Sequence, residues 1–206
     1  VPGPEHHFLI NPYGLLFHEI TASSLVKVDE NGEVVEAGGL RRVNPAGFTI
    51  HSAVHMGRED AGAVMHLHAA DGVAVSAHRD GLLPLSQTAM LCLEHLSYHE
   101  YEGVALNLDE RERLTRDLGS KSMMILRNHG ILTVGRDVPE TFTYLYFLMK
   151  ACEIQVKAQS CGPVYTPTQQ ASDTTADQSG SLGKAAKLTW PALLRLLDAR
   201  SPGYNV

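Results

Sequence analysis

Residues 122–134 read Ser-Met-Met-Ile-Leu-Arg-Asn-His-Gly-Ile-Leu-Thr-Val. Two apolar runs flank a tight turn at Asn128-His129-Gly130. Short apolar runs bounded by turn residues predict buried strands, here 122–126 and 131–134. The longest helical pattern of the chain follows at once. Asp137 is its N-cap, Pro139 lies in the first turn, and Glu140 stands three residues after the cap. Leu145, Met149, Cys152 and Val156 then recur at spacings of four, three and four, which predicts an amphipathic helix. A strand pair running into a long helix points to an α/β domain.

Working outward, residues 63–68 (Ala-Val-Met-His-Leu-His) read as a short strand. Asn44-Pro45 reads as a helix start, with the helix passing Phe48, Ser52 and His55 to about Gly57. Residues 108–118 predict another helix, with Asp109 as cap, Glu112 completing a capping-box-like pair, and Gly119 as terminator. Near the beginning, Phe8–Ile10 is an apolar run and Asn11-Pro12-Tyr13-Gly14 a turn. Asn31-Gly32 is a hairpin signal joining the run 25–28 to Val34-Val35. Strands and helices interleave around a hairpin, so the sheet is expected to be mixed and covered by helices. After Cys161 the chain turns polar. The expected organisation is one domain over 1–161, a flexible linker or loop over 162–186, and a C-terminal helix (190–197) and tail within 187–206.

Composition narrows the function classes. The chain has 206 residues and a formal net charge of −6. No basic run could neutralise phosphates, which disfavours nucleic acid and anionic membranes as partners. No apolar run approaches the ~20 residues that span a bilayer, and no signal-peptide pattern opens the chain. The three cysteines, Cys92, Cys152 and Cys161, lack CxxC spacing, which suits a reducing, cytoplasmic setting. Histidine is abundant, at eleven.

Two of those histidines, His66 and His68, sit at i and i+2 on a strand and so project from one face, with Leu67 on the other. A metal needs ligands that converge within ~2.0–2.1 Å of one point, and HxH supplies two of them. His129, in the turn beside Gly130, is placed to present a third. Three neutral imidazoles suit Zn, Fe, Mn or Co and leave coordination positions open. Alternating histidines can also simply line a half-exposed strand, and spacing alone leaves both readings standing. His51 and His55, at i and i+4, read more simply as a packed or hydrogen-bonded helix face. His78, His95 and His99 carry no spacing signal.

The runs FLINPYGLLFHEITASSLVKVDENG, NPAGFTIHSAVH, AVMHLHAADGVAVSAHRDGLLPLSQ, EYEGVALNLDERERL and ILRNHGILTVGRDVPETFTYLYFLMKACEIQVKA, spanning about residues 8–158, resemble the class II aldolase/adducin domain family, in its adducin-like branch. The resemblance implies a three-layer α/β/α domain around a central mixed, largely antiparallel sheet, assembled as a homotetramer. It implies a divalent metal, zinc foremost, on His66, His68 and His129, and a small-molecule substrate. Asn11, Gly14, Thr21 and Ser23, with Ser24, match the region where aldolases of the family hold the substrate's anionic end. Tyr101 stands near a tyrosine that serves those aldolases as an acid, flanked by Glu100 and Glu102. Family members normally carry an N-terminal helix pair and a Gly-x-x-Ser segment ahead of the FLINPYG run. That run begins here at residue 8, so the resemblance implies that this part of the family domain is missing.

One departure bears on chemistry. Aldolases of the family carry a glutamate ahead of the HxH that moves the substrate proton, and Gly47 stands at that position here. Three functions therefore follow from the resemblance. One is a metal-dependent lyase for a small hydroxy-carbonyl substrate. Another is a non-haem iron oxygenase or decarboxylase of aromatic hydroxy acids. The last is a non-catalytic adducin-like assembly module.

Overall fold

The computed structural model describes residues 1, 3, 6–178, 180 and 182–206. The strands expected at 122–126 and 131–134 are present as the centre of a four-stranded sheet. In chain order its strands are β4 (Ala63–Leu67), β5 (Leu96–His99), β6 (Met123–Leu126) and β7 (Gly130–Gly135), following β1 (Phe8–Ile10), β2 (Val26–Val28) and β3 (Val34–Ala37). The spatial order is β4-β7-β6-β5. β5 and β6 run parallel, whereas β4–β7 and β6–β7 are antiparallel. The sheet is thus mixed and largely antiparallel, as the resemblance implied.

The hairpin behaves differently from expectation. β2 and β3 pair antiparallel across the Asn31-Gly32 turn, but with β1 they make a separate three-stranded sheet. Phe8, Ile10, Val26 and Val28 pack there around Phe48. The mixed character of the central sheet comes instead from the β6–β7 turn and the crossover from β5 to β6.

Helices cover both faces of the central sheet. They are α1 (Pro45–Gly57), α2 (Ala70–Ala77), α3 (Gln87–Leu93), α4 (Glu110–Leu118), α5 (Val138–Ser160), α6 (Gln169–Asp177) and α7 (Leu182–Arg200). Alternation along β6 divides the core. Met123 and Ile125 join Val75, Cys92, Leu145 and Leu148 from α2, α3 and α5. Met124 and Leu126 join Ile50 and Val54 of α1 and Leu114 and Leu118 of α4. A strand buried on both faces must be apolar throughout, which is why 123–126 shows no polar alternation. Each such side chain contributes about 1.5–3 kcal/mol by leaving water.

Caps follow the sequence with one correction. Asn44 accepts from the Ala46 N–H at 3.2 Å and Asp137 from the Glu140 N–H at 2.9 Å, both as expected. Asp109 lies in the right-handed helical region and makes no side-chain cap bond. Asn107 has taken that task two residues earlier: its side chain accepts from the Asp109 N–H at 3.0 Å, and its carbonyl from the Glu110 N–H at 3.1 Å.

The polar stretch 162–186 also differs from expectation, because it carries helix. The Thr168 side chain caps α6 by accepting from the Ala171 N–H. α7 begins at Leu182, well before residue 190. Leu182 and Ala186 are buried, and Leu182 joins the core beside α5. No residue of α6 is buried, so its sequence shows no apolar stripe to read. Residues 179 and 181 of this stretch lie outside the described ones, as do residues 2, 4 and 5 in the N-terminal run. Among the described residues no helix is long and apolar enough to cross a membrane.

Candidate metal centre

Three imidazoles meet where β4 leaves the sheet beside the β6–β7 turn. β4 pairs with β7 so that His66 lies opposite Leu132 and Leu67 opposite Ile131. Val64 packs on the α1 side, and Met65 and Leu67 on the α5 side. His66 and His68 follow Val64 on the α1 side, as the two-residue period requires.

The turn carrying His129 is held tightly against β4. Asn128 adopts φ +54°, a conformation asparagine tolerates better than most residues. At Gly130 a Cβ would stand 2.5 Å from the Leu67 carbonyl oxygen and 3.1 Å from the His68 ring. The close approach that brings His129 to the HxH pair therefore requires glycine there.

The ring centroids lie 4.7, 4.8 and 4.7 Å apart. One ring nitrogen from each histidine falls within 4.8 Å of the others. The Nε2 atoms of His66 and His68 are 2.9 Å apart. His66 Nδ1 sits 2.9 Å from the Ile131 carbonyl oxygen and donates to it, since that oxygen can only accept. This fixes the tautomer and leaves the Nε2 lone pair of His66 facing the other two rings.

Electrostatics favours the neutral rings that ligation requires. Burial, followed by the neighbouring His129, pulls His66 down to about 3. Burial and then His68 lower His129 in the same direction. Lone pairs converging this closely repel unless a proton or cation sits between them. A divalent ion at ~2.0–2.1 Å from each nitrogen suits donors packed at this separation. The residues present fit a metal.

His66 and His68 open onto a cavity of about 800 Å³. Its walls include Asn11, Tyr13, Phe17, Asn44, Gly47, His51 and Phe142. A Cβ at Gly47 would meet only Asn44, at 3.6–3.8 Å, so steric crowding does not exclude a side chain there.

Of the other residues named from sequence, only Asn11 borders this cavity. Thr21 lines an adjoining groove with Asn11, Phe17 and Leu197. Ser23 donates its N–H to the Val206 carbonyl, and Ser24 Oγ donates to the Thr21 carbonyl, so these residues bind backbone. Gly14 is exposed at φ +108°. Tyr101 is 54% exposed and lies outside the cavity wall. Glu102 is engaged by both ends of the Arg113 guanidinium, which holds its carboxyl below the usual range. His51 and His55 stack as the packed helix face expected from sequence, with ring centroids 6.5 Å apart, and His51 also lines this cavity.

The family profile described as Class II Aldolase and Adducin N-terminal domain matches residues 1–156. The chain belongs to this family. A Caulobacter vibrioides protein provisionally named an aldolase class 2 protein is 56% identical, over 99% of this chain and 80% of its own length. Alpha-adducin of Rattus norvegicus is 42% identical over 96% of this chain, which spans 29% of that protein. Among solved structures, an aldolase II superfamily protein from Pseudomonas syringae superposes with a TM-score of 0.94. It is 48% identical and covers 99% of this chain and 83% of its own. An L-fuculose 1-phosphate aldolase from Glaciozyma antarctica PI12 gives a TM-score of 0.81 at 28% identity, covering 98% of this chain and 78% of its own. In this class II aldolase/adducin domain the three histidines form a group that could hold a divalent metal.

Proposed function

We propose that this class II aldolase/adducin domain is a metal-dependent lyase-type enzyme acting on a small hydroxy-carbonyl substrate. The observation that carries the reading is the convergence of three imidazoles, one with its tautomer fixed and two lining a cavity of about 800 Å³. His66, His68 and His129 would hold the ion. Zinc is the first choice for three neutral nitrogens, with iron, manganese and cobalt as alternatives. A bound divalent ion would supply Lewis-acid polarisation of a hydroxy-carbonyl group.

The chain's own residues do the rest. The Ile131 carbonyl keeps His66 oriented. Asn11 and Asn44 offer neutral amides to the substrate's oxygens, and Phe17 and Phe142 add apolar wall. Among the described residues no lysine, arginine, aspartate or glutamate lines the cavity, so specificity there rests on neutral hydrogen bonds and shape. We further propose a cytoplasmic homotetramer. Val104 and Leu106 are 69% and 63% exposed beside Tyr101, an apolar stretch suited to a neighbouring subunit. In such an assembly Tyr101 would serve a neighbour's cavity as a proton donor, and Thr21, Ser23 and Gly14 would border the same entrance.

Two observations favour other readings. Identity of 42% to alpha-adducin supports a non-catalytic assembly role. Gly47 in place of a carboxylate, together with the aromatic wall, supports an iron oxygenase or decarboxylase of aromatic hydroxy acids. Metal analysis of protein purified without chelators separates them. Stoichiometric zinc with retro-aldol turnover supports the lyase; iron with oxygen uptake supports the oxygenase. Absence of metal, with His66→Ala leaving fold and assembly unchanged, supports the assembly role.

A further inference from the structure

Gly47 and His51 lie one turn apart on α1, and both line the cavity that holds His66 and His68. The neighbouring imidazoles have structural partners. His55 Nδ1 lies 3.0 Å from the Ala61 carbonyl oxygen, and His66 Nδ1 is bonded to Ile131. His51 is different. Among the described residues no hydrogen bond fixes its ring, which only stacks against His55 at 6.5 Å. With no bond from the described residues, the nitrogens of this half-buried ring are available to a hydrogen-bonding partner in the cavity. His51 also lines a second cavity, of about 590 Å³, with Phe8, His55 and Met56.

We propose that His51 is the substrate-facing proton carrier of this site, filling the role that a carboxylate at position 47 would otherwise have. At a carbon next to the substrate carbonyl, the C–H electron pair moves into the adjacent carbon–carbon bond while the carbonyl oxygen takes up negative charge. The proton passes to a ring nitrogen of His51, and the reverse transfer returns it. Electrons balance without an oxidant or reductant. The proposal rests on the metal-site reading above.

The test compares the zinc-loaded full chain with His51→Gln and His51→Asn. Zinc content comes first, then acetohydroxamate affinity by calorimetry, as a mimic of the charged substrate form. Last is the exchange of carbon-bound protons of dihydroxyacetone in D2O, followed by NMR. Both variants should keep wild-type zinc content. Acetohydroxamate affinity should fall about tenfold, as for one lost hydrogen bond. Exchange should slow by roughly 10²–10⁴-fold, the usual range for a general acid–base group. Affinity and exchange within twofold of wild type in both variants would overturn the proposal, as would absence of exchange in the zinc-loaded wild type. Zinc loss from the variants alone would make His51 a ligand, and unfolding of both would make it structural; either result also overturns it. A wild-type chain that takes up no zinc marks failure of the metal reading itself.

Discussion

Replacing Gly130 by alanine tests how the third histidine is delivered. The added Cβ would stand 2.5 Å from the Leu67 carbonyl oxygen and 3.1 Å from the His68 ring. Backbone oxygen cannot swing aside, so the β6–β7 turn must move away from β4 by several tenths of an ångström or more. Overpacking of this kind costs about 1–3 kcal/mol. For a chain of this size that corresponds to roughly 2–12 °C in melting temperature, at ~2–4 °C per kcal/mol. The same displacement carries His129 away from His66 and His68, so zinc affinity should fall at least tenfold. Differential scanning calorimetry of the metal-free protein and a zinc titration read the two effects. Gly39→Ala is the control, because nothing lies within 4 Å of a Cβ there; its effect should stay within about 0.5 kcal/mol. Wild-type stability and wild-type zinc affinity in Gly130→Ala would refute the reasoning.

Further outcomes follow from the same geometry. Leu148 is fully buried in α5, and Leu148→Ala should lower the unfolding free energy by about 2–5 kcal/mol in urea titrations. Asp137→Ala removes the α5 cap bond to the Glu140 N–H and should cost about 0.5–2 kcal/mol by the same assay. The metal-free protein should lose stability as pH falls. His66 shifts from 6.5 to about 3 on folding, so between those values the unfolded chain holds a proton there that the folded chain does not. Stability is therefore complete above about 6.5 and declines towards pH 3. Chemical denaturation at pH 7 and pH 5 checks the sign, and greater stability at pH 5 would contradict it.

The histidine pair on β4 was legible because a strand's two-residue period fixes which side chains share a face. α5 was legible because its cap, first-turn proline and apolar stripe agree. Two things were not. The hairpin at Asn31-Gly32 announced strand pairing but not which sheet the strands join, since that depends on Phe48 reaching Phe8 and Val28 from a distant helix. α6 was hidden because a helix with no buried residue has no apolar period. The His51–His55 pair was legible as a packed helix face, and the two rings do stack, but i and i+4 spacing does not say which cavity that face meets. Gly47 was the informative neighbour, as it marks the same wall one turn earlier.

Metal content tests the central claim most directly. The full chain, purified without chelators and measured by elemental analysis, should carry close to one divalent metal ion per chain. His66→Ala, still folded by circular dichroism, should carry almost none. Metal-free wild-type protein that takes up no zinc, iron, manganese or cobalt on addition, or a His66→Ala variant that retains full metal content, would contradict the account.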